Sequence, residues 1–474
     1  MKVSLIKSDA GAYSSQIVGI ADGSLSAEAK SQFPMLADAP LPEKGQWAPV
    51  YGPSGCLLLV SYETKNDKSV TDAFRLMAVK AKKYLGDSPL LHGDHLGGYR
   101  IAALIGLCLS DYEIGHFKDK TRMDTKNVEA NLAVINYQAE EIAEAKVKAD
   151  VLKKVMHMVN LPSCEKTPER MGTFASDSAH LYGFSCEVWD RDKLEHMGMH
   201  AINAVGKGSQ HPPVLIISRY RGNPEHKGTQ LALVGKGVTF DTGGISIKPS
   251  NNMHYMKCDM AAAASIIGAI EAVARLQLPI NMTAVVPAAE NAVDARSLLP
   301  GDVIHSYSGK TIEVLNTDAE GRLCLADALA WVSKNEKPEC IIDMATLTGS
   351  AVQALGPQAA ALFTANDSLQ AALLQAGSQS GDKLWPMPLW EDYDSLLHSD
   401  IADLSNLPQS PVAGSIAAAK FLEVFTNEHP NWAHIDMAGP SFTDSPFAKM
   451  KSASGYGVQL LCNFIERLAK NADI

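Results

Sequence analysis

The stretch Leu231–Gly244, Leu-Ala-Leu-Val-Gly-Lys-Gly-Val-Thr-Phe-Asp-Thr-Gly-Gly, joins a short apolar run to a glycine-rich loop. The run is typical of a buried strand, and the Ala-rich segment Ala261–Leu278 further along is typical of a helix. Glycines let a backbone turn sharply or approach a ligand closely. Because ligands of α/β sheets bind at strand ends, the stretch predicts a strand, a binding loop and a helix in succession.

Expected strands and helices alternate along the C-terminal two thirds of the chain, where apolar runs are separated by helix-like segments. The expected strands are Val214–Ser218, Leu231–Gly235, Met282–Val286, Thr311–Leu315, Cys340–Met344 and Ala433–Met437. The expected helices are Ala261–Leu278, Leu323–Lys334 and Ala417–Asn427. Such alternation predicts a mixed, largely parallel sheet flanked by helices.

The N-terminal part has the same character on a smaller scale. Its expected elements are strands at Val3–Ile6, Cys56–Val60 and Ala133–Ile135 and a helix at Val70–Tyr84. We therefore predict an α/β fold in which a small N-terminal α/β domain (1–137) is joined by a linker helix (138–160) to a larger C-terminal α/β domain (161–474). The helix should end at Asn160-Leu161-Pro162, because proline disfavours a helical residue before it.

A second informative stretch is Asn316–Leu323, Asn-Thr-Asp-Ala-Glu-Gly-Arg-Leu. In an extended backbone, Asp318, Glu320 and Arg322 would share one face. Two carboxylates facing one way repel each other unless a cation lies between them. A metal ion and a solvated loop paired through Arg322 are both compatible with these eight residues.

Together the two regions offer a lysine and four carboxylates: Lys236, Asp241, Asp259, Asp318 and Glu320. Four carboxylates can neutralise two divalent cations, and a pair of metals is a known arrangement for hydrolysis. The lysine would have to lose its proton beside a dication in order to coordinate it. For Asp259 taken alone, the start of a helix favours an N-cap instead.

Three motifs resemble signatures of the leucyl aminopeptidase family, also called cytosol aminopeptidases. They are Val-Gly-Lys-Gly-x-x-Phe-Asp-x-Gly-Gly-x-x-x-Lys at Val234–Lys248, Met-Lys-x-Asp-Met at Met256–Met260, and Asn-Thr-Asp-Ala-Glu-Gly-Arg-Leu at Asn316–Leu323. The similarity continues through Ala345–Gly349 and Trp432–Gly439 and covers roughly the C-terminal two thirds of the chain. The resemblance implies that 161–474 is a catalytic aminopeptidase domain.

The resemblance also implies which residues bind metal. Lys236, Asp241, Asp259 and Glu320 would hold a tightly bound ion. Asp241, Asp318 and Glu320 would hold a more exchangeable one. The ions would be Mn²⁺ or Zn²⁺, with Mg²⁺ also open, because oxygen ligands do not discriminate sharply among them.

Five further residues receive roles from the resemblance. Lys248 would polarise the scissile carbonyl and stabilise the oxyanion. Arg322 would hold a bicarbonate ion that serves as the general base. Met256 and Thr346 would line the pocket for the first side chain, and Leu347 would hold the peptide through its backbone.

Two residues near these motifs have simpler interpretations. Cys258 is expected to be a small apolar packing residue. His434 lies in an expected strand and is interpreted as a core residue with a satisfied hydrogen bond. The segment 289–299 matches the family less well and is expected to be a loop near the active site.

The composition agrees with a cytoplasmic enzyme. The chain has 474 residues, 46% of them hydrophobic, and eight cysteines without a Cys-x-x-Cys pair, which favours reduced thiols. No apolar run is long enough to span a bilayer, and Met1–Lys30 lacks the apolar core of a signal peptide. The net charge of −11 does not favour nucleic acid, and acidic neighbours dilute the basic stretches Lys118–Lys126 and Lys146–Lys154.

The sequence therefore predicts a two-metal-dependent aminopeptidase that removes leucine and other apolar residues from the N-termini of peptides. The resemblance alone implies a homohexamer. Two alternatives stay open. One is a metal-dependent phosphoesterase, and the other is a non-catalytic regulatory protein, since some relatives in the family bind DNA.

Overall fold

A computed structural model describes residues 1–6, 13–52, 55–115, 117–118 and 131–470. The chain divides into two compact units, the first formed by 1–153 with 379–381 and the second by 154–378 with 382–474. Most of the basic stretch Lys118–Lys126 lies outside the described residues. Within the described residues, no helix is both long enough and apolar enough to cross a bilayer.

The first unit is built on a six-stranded sheet. Its strands are β1 (Lys2–Ile6), β2 (Ser15–Ala21), β3 (Trp47–Gly52), β4 (Gly55–Tyr62), β5 (Pro89–His92) and β6 (Asn131–Ile135). The strand order is β1-β6-β5-β2-β4-β3, and only the β3–β4 pair is antiparallel. The central strands β2 and β4 are almost wholly buried, as expected for apolar runs covered on both faces.

The helices of the first unit are α1 (Ala27–Gln32), α2 (Asp67–Lys80), α3 (Lys82–Leu85), α4 (Arg100–Cys108) and α5 (Ala139–Asn160). The helix expected at Val70–Tyr84 is divided, because Ala81 leaves helical geometry between α2 and α3. Asn66 caps α2 by accepting a hydrogen bond from the N–H of Ser69, which starts the helix earlier than expected. The boundary between the two units falls within α5.

The second unit contains a nine-stranded sheet and two small sheets. Its strands are β7 (Ser185–Trp189), β8 (Val214–Arg221), β9 (Leu231–Gly235), β10 (Gly237–Asp241), β11 (Asn281–Asn291), β12 (Val303–His305), β13 (Thr311–Glu313), β14 (Cys340–Ala345), β15 (Ala360–Phe363), β16 (Leu384–Pro386), β17 (Leu404–Ser405), β18 (Trp432–Asp436), β19 (Phe442–Thr443) and β20 (Ser452–Ala453). The large sheet has the order β16-β15-β18-β14-β9-β11-β8-β7, and β10 pairs with β11. The small sheets are β12-β13-β17 and β19-β20.

Strand β9 lies near the middle of the large sheet, parallel to β14 on one side and to β11 on the other. The antiparallel pairs are β8 with β11, β7 with β8, and β15 with β18. The sheet is therefore mixed and largely parallel, and the predicted α/β fold class is confirmed. The segment 289–299 begins as the end of β11, so it is a strand up to Asn291 and irregular only after it.

The helices of the second unit are α6 (Pro168–Tyr182), α7 (Arg191–His196), α8 (His200–Gly206), α9 (Ala261–Arg275), α10 (Glu320–Asn335), α11 (Gly349–Leu355), α12 (Asp367–Ser380), α13 (Gly414–Glu423) and α14 (Val458–Ala469). Helices α9 and α10 both pack against β9 and β11. Both are buried around almost their whole circumference, which is typical of helices enclosed by other elements.

A buried carboxylate ties α10 to its surroundings. Asp327 accepts hydrogen bonds from the N–H groups of Ala201 (2.9 Å), Ile202 (3.1 Å) and Tyr307 (2.7 Å). Two of these donors lie in the first turn of α8, where backbone N–H groups have no partner within the helix. Asp327 thus joins α8, α10 and the loop at Tyr307.

We expect Asp327→Asn to lower the free energy of unfolding by about 1–3 kcal/mol, because an amide has one acceptor oxygen and leaves at least one buried N–H unpaired. Urea denaturation would measure the change. Asp400 is 88% exposed at its side chain, and Asp400→Asn serves as the control, with an expected change within about 0.5 kcal/mol. Equal midpoints for Asp327→Asn and the parent would contradict the assignment.

The stability difference between parent and Asp327→Asn should also depend on pH. Burial raises the pKa of Asp327 to about 7, while an unfolded aspartate ionises near its ordinary value of about 3.9. Between these values the folded parent binds more protons than the unfolded chain. Its stability relative to the variant therefore falls as the pH rises from about 4 to 7.

Candidate functional site

The predicted lysine and acidic residues lie where strands of the large sheet end and where the adjoining helices begin. Lys236 directly follows β9, and Asp241 is the last residue of β10. Asp259 precedes α9, Asp318 lies in the turn before α10, and Glu320 is the first residue of α10. The site thus lies at the carboxyl ends of strands, where α/β proteins bind ligands.

Two local predictions are wrong. The segment around Asp318 is a turn and the start of a helix rather than extended, because the side chain of Asn316 accepts a 2.7 Å hydrogen bond from the N–H of Asp318. Asp259 is not an N-cap, since Met260 occupies that position without a side-chain bond. The Asp259 carboxylate instead accepts a 2.8 Å hydrogen bond from the hydroxyl of Thr346.

A compact charged cluster lies at the centre of the site. Carboxylate oxygens of Asp241, Asp259 and Glu320 all lie within 4.8 Å of one another, and all three residues are buried. The Lys236 Nζ lies 2.7 Å from Asp259, 2.9 Å from Glu320 and 3.0 Å from the carbonyl oxygen of Thr346, to which it donates. One ammonium therefore contacts two of the three carboxylates.

The pKa values of Glu320, Asp259 and Lys236 reflect the burial and the mutual repulsion of the carboxylates. Burial, together with the charge of Asp241, raises the pKa of Glu320 to about 8, and burial raises that of Asp259 to about 6. Burial opposes the ammonium of Lys236, but Asp259 and Glu320 outweigh it and raise its pKa well above the usual range. Without further positive charge, Glu320 and Asp259 therefore resist ionisation.

Several buried oxygens of the cluster are poorly satisfied within the described part of the chain. Oε2 of Glu320 has no donor there, and Oε1 of Glu320, Oδ2 of Asp259 and Oδ1 of Asp318 are met only by the ammonium groups of Lys236 and Lys248. Native structures rarely leave buried carboxylate oxygens in this condition. Hard divalent cations take such oxygens as ligands, so the donor set fits a metal ion.

A second lysine closes the other side of the cluster. Lys248 Nζ lies 2.8 Å from Asp241 Oδ2 and contacts Asp318. Burial would lower the pKa of Lys248, but the charges of Asp241 and Glu320 raise it. This ammonium therefore stays protonated, and with 22% of its side chain exposed it can be reached from the adjoining cavity.

The guanidinium of Arg322 is buried behind the turn that bears Asp318. It donates a 2.8 Å hydrogen bond to the carbonyl oxygen of Asn406, while its Nε has no acceptor among the described residues. Burial lowers its pKa to about 10, so the group is still a cation at neutral pH. A buried cation with an unused donor is suited to hold an anion.

All ten predicted site residues belong to one region. A cavity of about 480 Å³ is lined by nine of them and by neighbours that include Cys258, Val352 and Leu407. The tenth, Glu320, contacts Lys236, which lines the cavity. Burial raises the pKa of the Cys258 thiol to about 12, which agrees with its interpretation as an unreactive neighbour.

Three buried polar residues that shape the site were not predicted. Asn291 donates hydrogen bonds to Asp241 (2.8 Å) and to the carbonyl of Thr317 (3.1 Å). Asp436 accepts from the N–H of Leu347 (3.1 Å) and from the hydroxyl of Thr348 (2.6 Å). Asn291 and Asp436 both lie at the end of an apolar strand, and that position could have indicated from the sequence that they belong to the site.

The third residue, Asn406, gave no local signal. Its side-chain oxygen accepts from the N–H of Leu315 (2.8 Å), and its amide donates to the carbonyl of Asn316 (2.8 Å). The partners are about 90 residues away in sequence. Asn406 therefore holds the turn of Asp318 on one side and Arg322 on the other.

Comparison with known proteins assigns this chain to a family of enzymes. The model of the cytosol aminopeptidase family, catalytic domain, matches residues 154–462. A probable cytosol aminopeptidase of Chlorobium limicola is 44% identical over 382 residues, which cover 80% of this chain and 75% of that protein. The chain belongs to the cytosol aminopeptidase family, whose members are metal-dependent peptidases.

Solved structures agree over almost the whole chain. A mutant of tomato leucine aminopeptidase has a TM-score of 0.86 and 28% identity, covering 98% of this chain and 96% of that one. The bottromycin maturation enzyme BotP in complex with Mn has a TM-score of 0.82 and 29% identity, covering 97% and 100%. The predicted family and enzyme class are confirmed, and the phosphoesterase and non-catalytic alternatives lose their support.

We expect Asn406→Ala to lower the free energy of unfolding by about 1–3 kcal/mol, because the half-buried N–H of Leu315 and carbonyl of Asn316 lose their partners. Urea denaturation would measure the loss. Asn251→Ala, at an exposed position, is the control and should stay within about 0.5 kcal/mol of the parent. Equal effects of the two substitutions would show that Asn406 does not hold the turn.

Proposed function

We propose that the protein is a two-metal-dependent aminopeptidase that removes N-terminal residues, with leucine and other apolar residues preferred. One observation supports this most directly. Asp241, Asp259 and Glu320 place buried carboxylates within 4.8 Å of one another, and Lys236 neutralises them only in part. Further positive charge would stabilise the ionised form of such a cluster.

In this proposal, Lys236, Asp241, Asp259 and Glu320 hold one divalent ion, and Asp241, Asp318 and Glu320 hold the second. Bound metal ions would supply an activated water nucleophile and polarise the scissile carbonyl. Lys236 must give up its proton to serve as a ligand. The oxygen-rich set suits Mn²⁺, Zn²⁺ or Mg²⁺, and the similarity to the Mn complex of BotP favours manganese.

Two cations of the chain act on the substrate and on the proton. Lys248, at the cavity wall, donates to the carbonyl oxygen and stabilises the oxyanion as charge develops. Arg322 holds a bicarbonate ion, and its unused Nε donor and buried charge support this role. A bicarbonate held by Arg322 would supply the general base for the hydrolysis.

The lining of the cavity supports the proposed specificity. Met256 and Thr346 line it together with Leu347, and the side chains of Cys258 and Val352 extend its apolar wall. The N–H of Leu347 is already bonded to Asp436, so its carbonyl oxygen is the backbone group that would accept a hydrogen bond from the peptide. An apolar wall favours leucine over polar first residues.

We include a homohexameric assembly and a cytoplasmic location in the proposal. The assembly is supported by the family resemblance, and exposed apolar side chains such as Trp385 (62%), Trp390 (63%) and Ile401 (64%) are available for contacts between subunits. The location is supported by the names of the relatives and by the scattered free cysteines.

Replacement of Glu320, which is proposed to bind both metal ions, tests the metal assignment. We expect Glu320→Ala to lower kcat for leucine p-nitroanilide by ~10²-fold or more and to reduce the metal retained after dialysis, because both proposed ions lose a ligand. Metal analysis and steady-state kinetics would measure the two effects. Glu391→Ala, at an exposed position, is the control. A kcat within tenfold of the parent, with two metals retained, would refute the assignment.

Lys248→Ala separates the oxyanion role from metal binding. We expect kcat to fall about 10²–10³-fold, as for other losses of one oxyanion donor, with metal content unchanged. The exposed Lys227→Ala variant should behave as the parent does. An unchanged kcat would remove Lys248 from the mechanism.

A further inference from the structure

One fully buried lysine takes no part in the proposed chemistry. Lys166 follows the turn Ser163–Glu165 and has 0% exposure. Within the described residues it forms no ion pair with a carboxylate, whereas the buried Lys420 of the same unit pairs with Asp394 and Glu423. Burial of an amine without a carboxylate partner costs free energy, and hydrogen bonds to the protein must offset that cost.

The amine of Lys166 joins two chain segments. Its Nζ donates to the carbonyl oxygen of Val159 at 2.9 Å and to that of Lys257 at 2.6 Å. Val159 lies in the last turn of α5, where carbonyls have no partner within the helix. Lys257 lies in the 3₁₀ helix Met253–Cys258. Helix ends of this kind attract positive charge.

The 3₁₀ helix Met253–Cys258 has reason to need an external support. It is six residues long, and 3₁₀ runs beyond three or four residues are uncommon because their hydrogen bonds have poor geometry. The bond from Lys166 reaches it one residue after Met256 and two before Asp259. Met256 and Cys258 line the cavity, and Asp259 belongs to the carboxylate cluster.

Burial lowers the pKa of Lys166 to about 7. The two bonds do not depend on its charge, because a neutral amine still has two N–H groups to donate. Near neutral pH, Lys166 therefore keeps both hydrogen bonds in either protonation state.

We propose that Lys166 is a positioning residue for the first-side-chain pocket, which anchors the 3₁₀ helix Met253–Cys258 to the end of α5 and so fixes Met256 in the cavity wall. This inference rests on the proposed function, since Met256 is assigned to that pocket. It adds a determinant of specificity that does not itself touch the substrate.

Lys166→Met tests the proposal, because methionine is apolar, of similar length and without a donor. The ratio of kcat/KM for leucine p-nitroanilide to that for alanine p-nitroanilide is expected to fall about tenfold at saturating Mn²⁺, as when a hydrophobic pocket loses its fit. Hydrogen-exchange mass spectrometry of the metal-free protein should show faster exchange confined to peptides that contain 253–259.

The control is Lys420→Met, which also removes a buried ammonium from the second unit. It should leave the leucine-to-alanine ratio and the exchange of 253–259 unchanged, whatever its effect on stability. If Lys166→Met is not recovered folded, Lys166→Gln replaces it. Glutamine keeps a donor on a shorter side chain that cannot span both carbonyls, so a smaller fall in the ratio is expected.

A double-mutant cycle with Met256→Ala distinguishes positioning from a general loss of stability. If Lys166 acts through Met256, Lys166→Met should change the ratio less than about twofold in the Met256→Ala background. An unchanged ratio in an active Lys166 variant, an equal effect in both backgrounds, or faster exchange spread over the whole second unit would each overturn the proposal.

Failure of the proposed function would look different. In that case the parent protein itself would cleave neither anilide. The exchange experiment would then still decide whether Lys166 anchors the segment 253–259.

Discussion

Mutual repulsion of buried carboxylates is the constraint on which the rest of the second unit depends. Asp241, Asp259 and Glu320 lie within 4.8 Å of one another in a region from which water is largely excluded, where charges interact strongly. Lys236 contacts two of them, yet burial still raises the pKa of Glu320 to about 8. Two lysines face four carboxylates here, so the protein's own cations balance the fully ionised cluster only in part, and a bound cation would favour its ionised form.

The sheet makes such an arrangement possible. Lys236 directly follows β9, and Asp241 is the last residue of β10. Asp259 precedes α9 and Glu320 begins α10, and both helices pack on β9 and β11. The N-terminal ends of α9 and α10 carry partial positive charge, which favours carboxylates there. Asp241, Asp259 and Glu320 are thus fixed at strand ends or helix starts, whereas the turn that bears Asp318 is held by Asn406.

The sequence predicted the elements that depend on local pattern. β9 was expected at Leu231–Gly235 and is observed there, because a continuous apolar run bounded by glycine has few alternatives. The turn at Asp318 was missed because alternating charged residues fit a strand equally well, and because Ala319 gives no side-chain signal for a helix start. Asn406 could not be found, since its partners at Leu315 and Asn316 are remote in sequence and meet it only in the folded chain.

The cluster also explains why glycine stands inside the Glu-Gly-Arg motif. Gly321 lies in the first turn of α10, and a Cβ there would collide with the aliphatic end of the Lys236 side chain. A glycine within a helix costs roughly 1 kcal/mol relative to alanine, so the position would favour alanine if propensity alone decided. Space for Lys236 beside Glu320 decides instead. The glycine, the lysine and the glutamate of two motifs 85 residues apart in the chain therefore form one structural requirement, which local propensity in either motif does not reveal.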